Sequence, residues 1–481
     1  MSAASNSNAV KPFGLKDKVG YMFGDWGNDF MFIFASSFLM VFYTKVMGIP
    51  GAAVGTLFLI ARIIDAFADV TVGVVVDKAK NHPNGKYRVI MMRMAAPVTI
   101  FSFLMYQTFA VNSSMGIKIL YMYVTYIIWG ILYSCVNIPY GSMASVISPE
   151  PEHRTSLSTF RSVGATCAGL IIGVGAPLII YTKDEAGNQI IRGGEGTNIF
   201  MWVSLIFAIG SFLCYFICYK MSTERVKSED HSGTTAGSER KSVAHMIASA
   251  FSSRAMVGII GAAIALLMAM LFMQQMANYL FTDYFKSSAL LSTVNLVCSL
   301  LTFAIAPFAQ PLAKKLGHKT MGVTGAIIGT ACMAILYVIH TTNAVLFSAL
   351  YILSFVGIGL FNIVIWAMIT EVIDDIEVHK GIREDATCYS VYSFARKLGQ
   401  AFAGWFAGAA LGWIGYKEGA AVVQSQETLD GLYMYVTLLP AIFFGAMLLI
   451  LVFVYPLGKK RVDANTAALK AKREAKEAAE A

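Results

Sequence analysis

Three ionisable side chains interrupt one of the most apolar stretches of the sequence. Arg62, Asp65 and Asp69 lie within the run from Val54 to Val76. On an α-helix, with 100° between successive residues, the three fall within about 60° of one another. Each charge costs roughly 2.5–3.5 kcal/mol at the centre of a membrane helix. We therefore expect this face to point to the protein interior or to a water-filled cavity.

The two carboxylates of this face need a positive partner. Residues four apart on a helix have Cβ atoms about 5–6 Å apart, and two negative charges at roughly 6 Å repel by about 3 kcal/mol at an effective dielectric near 20. Arg62 can neutralise one carboxylate, and the other favours a proton or a hard cation that binds oxygen ligands. We interpret Arg62, Asp65 and Asp69 as a cation-coupling site, in which Asp65 and Asp69 are the metal ligands if the cation is Na⁺ or Li⁺. The alternative is a static ion-pair network that only fixes helix packing.

A second polar set lies nearer the N-terminus, in the motif GDWGNDF. Asp25 and Asp29 share one helix face, with Trp26 beside them. Carboxylates accept hydrogen bonds from hydroxyl groups, and aromatic rings cover the apolar face of a sugar. This combination predicts a site for a polyhydroxylated ligand. Asp25 could instead be a charge near a helix N-terminus that the macrodipole favours.

Basic residues within other apolar stretches could complement these carboxylates. Arg396 and Lys397, in YSFARKLGQAF, differ by about 100° around their helix and cannot both face one cavity. We expect Lys397 to face inward because its side of the helix carries small residues; the alternative is a static ion pair. Arg161, in LSTFRSVGA, could face inward or lie at the membrane interface.

A further group of charges is predicted to act as a latch on the cytoplasmic side. Glu371, Asp374 and Glu377 end the tenth apolar stretch, on the side that carries the basic loops after the second and eighth stretches. The proposed latch consists of Asp77, Lys86, Arg88, Glu371, Asp374 and Glu377.

The elements that must position all these residues are membrane-spanning helices. The chain has 481 residues, of which 57% are hydrophobic and 14% charged, whereas soluble domains are about 45–50% apolar and 25% charged. Apolar stretches long enough to cross a bilayer recur along the chain. They predict twelve spans, at about 19–46, 51–77, 87–110, 116–146, 157–181, 197–220, 254–285, 289–313, 319–339, 344–371, 386–414 and 431–457.

Charge and repeats give the predicted topology. The segments on the side of the termini carry 28 of the 37 Lys and Arg residues and those on the other side carry 6, so the positive-inside rule places both termini in the cytoplasm. The net charge of +8 thus reports topology and argues against a nucleic-acid partner. Short basic loops, in GVVVDKAKNHPNGKYR and PLAKKLGHKT, recur after the second span of each half.

The pattern predicts an all-α integral membrane protein with the major facilitator fold, in which twelve transmembrane helices form two six-helix bundles and substrate binds near the midplane between the halves. The predicted domains are a cytoplasmic N-tail (1–18), an N-terminal bundle (19–220), a cytoplasmic central loop (221–253), a C-terminal bundle (254–457) and a cytoplasmic C-tail (458–481). We find no Ser/His dyad, metal triad, HExxH motif or mid-span histidine, so we expect neither an enzyme nor a cofactor.

Several motifs resemble one transporter family. GDWGNDF, VGTLFLIARIIDAFAD, GKYR, NIPYGS and RTSLSTFRSVGA look like the glycoside–pentoside–hexuronide:cation symporters, the group of melibiose permease, over about residues 15–460. The chain is closer to their xyloside and glucuronide type members. The resemblance implies an H⁺- or Na⁺-coupled symporter of the bacterial plasma membrane. It would import a glycoside or oligosaccharide (pentoside, hexoside or hexuronide) by alternating access, as a monomer in the lipid bilayer.

The resemblance also implies roles for individual positions. Asp65 and Asp69 match cation-binding carboxylates, Asp29 a sugar-binding carboxylate and Arg161 an arginine near the sugar. Lys397 matches a lysine linking the two sites, and Ser134 replaces a cation-site threonine. Including residues assigned above, the candidate substrate-binding set is Asp29, Asp25, Trp26, Ser134, Asn137, Arg161, Asn362, Tyr392 and Lys397.

Three departures from melibiose permease, and one from many members of the family, limit what the resemblance implies about the substrate and the cation. Asn137 replaces an aspartate, and Gly141 and Asn362 replace tryptophans, which argues against melibiose. Ala68 stands where many members have asparagine, which favours H⁺ over Na⁺ because a proton needs no coordination shell. The alternatives are a symporter of lysolipids or other organic solutes from the same superfamily, and a sugar sensor that does not transport.

Overall fold

The computed structural model describes residues 12–80, 82–148, 150–185, 187–194, 197–225, 253–380, 385–419 and 422–480. Nearly all of these residues are helical. A single two-stranded sheet, β1 (Tyr181–Lys183) and β2 (Gln189–Ile191), is present among them. The α-helices, labelled α1 to α14 in chain order, are Leu15–Val41, Gly51–Lys78, Tyr87–Leu104, Met115–Ile147, Pro151–Leu170, Ala176–Ile180, Ile199–Met221, Arg254–Tyr279, Ser288–Leu316, His318–Ile339, Ala344–Lys380, Asp385–Trp413, Gln426–Leu449 and Lys459–Glu480.

The helices match the twelve predicted spans, with α5 and α6 forming one span through a π turn at Ile171–Gly175. In the described part of the chain, nine helical segments are long and apolar enough to cross a membrane, and α2, α9 and α12 have 28, 29 and 29 residues. The predicted spans are shorter than the helices wherever a helix continues with polar residues. Helix α5 begins at Pro151 rather than 157, and α11 continues to Lys380 rather than 371. Hydropathy detects the membrane-embedded part of a helix and not its polar extension.

Helices α1, α8 and α13 each end in a π turn, and the turns after α1 and α8 share a further feature. A π turn, Phe42–Val46, follows α1, and another, Leu280–Tyr284, follows α8. Two residues after each turn the backbone has a positive φ, at Gly48 (65°) and Lys286 (50°). Because α1 and α8 begin the two predicted halves, this shared geometry supports an internal repeat.

The chain forms two compact units. The first comprises Met1–Ile49, Ile64–Ile180 and Ile191–Glu239. In it α1 packs against α5 and α7, and α3 packs against α4 and α7. Glycine permits the closest approach, since a Cβ at Gly164 of α5 would lie 2.6 Å from the carbonyl oxygen of Met22 in α1.

The second unit comprises Pro50–Ile63, Tyr181–Ile190 and Arg240–Ala481. It includes the first half of α2, which packs against α12 through small residues four apart. A Cβ at Gly55 would lie 2.9 Å from the carbonyl oxygen of Trp405, and one at Gly408 would lie 2.7 Å from the Cα of Gly55. Small residues at this spacing let membrane helices approach closely, so the glycines hold this part of α2 in the second unit.

Ion pairs anchor the ends of each unit. In the first, Arg225 after α7 binds Asp17 of α1 at 2.7 Å, and both side chains are largely buried. In the second, Arg461 and Asn465 of α14 donate to the buried carboxylate of Asp375 at 3.1 and 2.9 Å. The first turns of α14, which lie in the predicted C-tail, are thus docked on α11.

Candidate functional site

The acidic face of α2 lies against α4. The side chain of Asp65 is buried and its carboxylate lies directly against Gly130, where an added Cβ would collide with Oδ1. One turn further along, the hydroxyl of Ser134 donates a hydrogen bond to Asp69 Oδ1 at 2.5 Å. The structure therefore brings three predicted residues together, and Gly130 is a fourth that the sequence analysis missed.

The arrangement follows from helix geometry on both sides. Gly130, Ser134 and Asn137 are spaced by four and three residues, which places them within about 60° on one face of α4. Two carboxylates and a hydroxyl are oxygen donors of the kind that hard cations bind. Arg62 is partly buried on the same helix as the two aspartates. This chemistry fits a proton or a monovalent metal ion.

A neutral hydrogen-bond chain links α1, α4 and α7. Asn28 donates from Nδ2 to Asn137 Oδ1 at 3.3 Å, and Tyr215 donates from its hydroxyl to Asn28 Oδ1 at 2.7 Å. Asn137 was predicted, whereas Asn28 and Tyr215 were not among the candidates. Asn28 gave a signal, because it is an amide in an apolar span three residues from Asp25; Tyr215 gave none.

A charged cluster joins α1 to α5. Arg161 donates from Nε to Asp25 Oδ1 at 2.8 Å, and its guanidinium lies over the ring of Tyr140 at 5.5 Å. The ring of Tyr140 stacks on Tyr21 at 4.6 Å. Arg161 therefore faces inward, toward Asp25, which was one of the two orientations that the sequence left open; the other was a position at the membrane interface. Helix α1 begins at Leu15, ten residues before Asp25, so the macrodipole does not explain that buried carboxylate.

Asp29 and Trp26 have different surroundings, although they lie one turn apart on α1. Asp29 is half-buried one turn beyond Asp25 and lies within the electrostatic influence of Asp25 and Arg161. Trp26 instead belongs to an aromatic row, with ring centroids 5.3 Å from Phe23 and 5.9 Å from Phe30. The structure thus pairs Asp25 with Arg161 and places the Trp26 ring among its aromatic neighbours.

The candidate residues of the second unit form a separate set. The guanidinium of Arg396 lies over the rings of Trp366 and Tyr392, at 5.5 and 5.9 Å from their centroids. These two aromatic side chains therefore bind Arg396, which is adjacent to Lys397 in the sequence. Asn362 of α11 contacts Met270 Sδ at 3.9 Å. Lys397 itself is half-buried on α12.

Three of the predicted latch residues have partners that the sequence did not indicate. The backbone amides of Lys86 and Arg88 donate to the carboxylate of Glu224 at 2.8 and 2.7 Å. In the second unit His318 contacts Glu371 at 2.6 Å. Asp374 and Glu377 lie on α11 on either side of the anchored Asp375. The side chain of Asp77 lies outside the described residues.

Solved structures identify the fold. The inward-open xylose transporter of E. coli is similar with a TM-score of 0.60 and 12% identity, covering 94% of this chain and 98% of that one. A D-xylose–proton symporter is similar with a TM-score of 0.61 and 13% identity, covering 93% and 97%. At these identities the likeness shows the fold, which is that of the major facilitator transporters.

Sequence comparison then gives the family. Residues 20–459 match the model of the MFS/sugar transport protein family. A glucuronide carrier protein homolog of Escherichia coli strain K12 is 30% identical, covering 92% of this chain and 93% of the relative. An uncharacterised symporter of Bacillus subtilis strain 168 is 31% identical, covering 93% of both chains. The isoprimeverose transporter of Lactiplantibacillus pentosus is 29% identical, covering 91% and 88%.

The chain therefore belongs to the MFS/sugar transport protein family. It is a multi-pass inner-membrane transporter and not an enzyme, and the resemblance to the glycoside–pentoside–hexuronide symporters is confirmed. The predicted domain boundaries and the roles assigned to individual residues stay predictions.

Proposed function

We propose that the protein is a cation-coupled symporter that imports a glycoside by alternating access. The observation that carries this proposal is the Asp65–Asp69 face of α2, held against Gly130 and Ser134 of α4. Two carboxylates and a hydroxyl inside a helical bundle suit a small cation. Burying two carboxylates costs free energy unless a cation or a proton neutralises their charge. One monovalent cation that enters down about 100 mV releases roughly 2.3 kcal/mol, which supports about fifty-fold accumulation of substrate.

The sugar part of the proposal rests on chemistry and on relatives. Asp25, Asp29 and Arg161 offer acceptors and donors for hydroxyl groups. The relatives named above are a glucuronide carrier homolog and an isoprimeverose transporter, both of which are named for sugars or sugar conjugates. We propose H⁺ ahead of Na⁺ as the coupling ion, because Ala68 offers no side-chain oxygen beside Asp69.

The test is uptake of radiolabelled glycosides into membrane vesicles in which the Na⁺, Li⁺ and proton gradients are varied separately. We expect uptake to stop when the coupling gradient is collapsed, and uptake that survives collapse of both Na⁺ and H⁺ gradients would contradict symport. The variant Ala68→Asn is expected to strengthen Na⁺ dependence. If it leaves Na⁺ dependence unchanged, the assignment of H⁺ on the basis of Ala68 is wrong.

A further inference from the structure

A cavity of about 230 Å³ lies at the end of the second unit where α8 begins and the chain passes from α13 to α14. Pockets for drug-sized ligands are larger, roughly 300–1,000 Å³, so this volume suits a compact group. The residues of its lining that matter here are two arginines, a carboxylate, a histidine, a serine and a proline: Arg254, Arg461, Asp375, His379, Ser253 and Pro456. All of them lie outside the candidate sets assigned above.

The carboxylate in this cavity is already paired. Arg461 donates to Asp375 from Nε at 3.1 Å and from one terminal nitrogen at 3.3 Å. Asn465 donates to the same carboxylate at 2.9 Å, and the Asp375 side chain is 9% exposed. The charges of Arg461 and Asp375 therefore offset each other, and Arg254 gives the lining an excess of positive charge.

Arg254 has no carboxylate partner among the described residues. One of its terminal nitrogens donates at 2.5 Å to the carbonyl oxygen of Phe453, in the π turn Ile450–Val454 that follows α13. Lys319 donates to the next segment of the same chain, at the carbonyl oxygen of Tyr455, at 2.6 Å. The two cations are close enough to interact electrostatically. Like charges held near each other repel, and an anion beside Arg254 would relieve this repulsion.

Both arginines keep hydrogen-bond donors for a ligand. A guanidinium carries five N–H donors in a planar fork that matches the oxygens of a phosphate. Arg254 uses one nitrogen for the Phe453 carbonyl, and Arg461 uses two nitrogens for Asp375 and His379. The described part of the chain gives the other guanidinium nitrogens of the two residues no acceptor.

The backbone adds to the positive potential of the cavity. Helix α8 begins at Arg254 with Ser253 as its N-cap, and α14 begins at Lys459, two residues before Arg461. Helix N-termini carry a partial positive charge and favour anions. The hydroxyl of Ser253 accepts from the amide of Met256, which leaves its own O–H to donate.

We propose that this cavity binds a phosphate-type oxyanion, with Arg254 and Arg461 as its ligands. The phosphate belongs either to the headgroup of an anionic phospholipid or to a free phosphate compound. The exposed apolar side chains of Leu449 and Phe453 lie on the segment that holds Arg254, as expected for a surface that faces acyl chains. Basic pockets between membrane helices on the cytoplasmic side bind anionic headgroups, and this end of the unit is predicted to be cytoplasmic.

The test uses the full chain purified in dodecyl maltoside. Native mass spectrometry measures its affinity for dioleoylphosphatidylglycerol and for dioleoylphosphatidylcholine, whose choline group places a positive charge beside the phosphate. A second measurement compares the midpoint of thermal unfolding in inorganic phosphate and in chloride at equal ionic strength, since a ligand of the folded state raises it. A preference of about tenfold or more for phosphatidylglycerol would identify a lipid headgroup, and a higher midpoint in phosphate would identify a free phosphate. Absence of both effects would overturn the proposal.

Variants then assign the binding to the cavity. Arg254→Gln removes the excess positive charge and should weaken phosphatidylglycerol binding about tenfold, or abolish the rise in midpoint if free phosphate is the ligand. Lys220→Gln is the matched control, because Lys220 is an exposed cation in the last turn of α7, in the first unit. Its binding should not change. An equal loss in both variants would show a general attraction to positive charge and would overturn the site.

A double variant covers the case in which Arg254→Gln does not fold. Arg461→Gln combined with Asp375→Asn removes a cation and a buried carboxylate together, so the net charge is kept and no carboxylate is left without its cation. We expect this protein to lose the binding as well, because only one of the two guanidinium groups remains. Binding of wild-type strength in the double variant would refute the proposed site.

Discussion

Gly130 offers a direct test of the cation site. An ideal Cβ at this position would collide with Asp65 Oδ1, so Gly130→Ala must displace the carboxylate. Ordinary carbon–oxygen contacts are about 3.3–3.6 Å, which requires a movement on the order of 1 Å. Misplacing a functional group by this distance typically reduces function by about a hundredfold. We expect the cation concentration for half-maximal uptake to rise by about ten- to a hundredfold.

The assay measures initial glycoside uptake in vesicles against cation concentration, at a fixed membrane potential. Gly116→Ala is the control, because Gly116 lies on the same helix and a Cβ there meets nothing within 4 Å. Alanine is a better helix former than glycine, so a loss of helix propensity cannot explain a selective loss of cation affinity at Gly130. A folded Gly130→Ala protein with an unchanged cation requirement would refute the assignment of Asp65 as a cation ligand.

Other contacts in the two units give further expected outcomes. Ser134→Ala removes a hydrogen bond to Asp69 of a kind that contributes about 1.5–3 kcal/mol, so half-maximal activation by Na⁺, or by protons, should shift at least tenfold in concentration. Arg225→Ala leaves the buried Asp17 without its ion pair and should lower stability by about 3–5 kcal/mol, measured as a lower midpoint of thermal unfolding in detergent. Gly408→Ala forces a methyl group against the backbone of α2. It should lower the free energy of unfolding by about 1–3 kcal/mol, which the same midpoint measures.

Matched variants separate these effects from general damage. Ser134→Thr keeps the hydroxyl and should retain most of the cation affinity. Lys470→Ala breaks an exposed pair with Glu474 and should change stability by less than about 1 kcal/mol. Gly412→Ala meets only an ordinary contact, 3.4 Å from the Cβ of Ala52. A midpoint that falls equally in a variant and in its control would contradict the corresponding interpretation.

The sequence predicted the helices better than it predicted their ends. The uncertain ends limited how well the residues of the site could be assigned. Arg161 was ambiguous because its span was expected to begin at 157, which would place it in the first turn. In the structure α5 begins at Pro151, and the hydrogen bond from Arg161 to the buried Asp25 shows which way the side chain points. Asp375 was overlooked for a related reason: it lies in polar turns beyond the predicted end of the span, where no apolar pattern indicates which side of the helix faces the protein.

The contacts between helices could be predicted only where a charge marked them. Asp65 and Asp69 stand out in an apolar run, and the family resemblance pointed to Ser134. Gly130 could not be predicted, because a glycine in an apolar helix gives no sign of the side chain that lies against it. Tyr215 is one of 22 tyrosines, and its hydrogen bond to Asn28 depends on a helix crossing that residue types and spacing do not reveal.

The matching π turns after α1 and α8 have a consequence for comparing relatives. A π turn accommodates one more residue than the α-helical turn it replaces. Relatives that lack it should therefore be one residue shorter near 42–46 or 280–284, and the deletion would rotate everything beyond it by about 100° relative to the helix. Single-residue gaps at these two points should be read as a change of helix geometry. Where both gaps occur together in one relative, the first helix of each half is expected to end without a π turn.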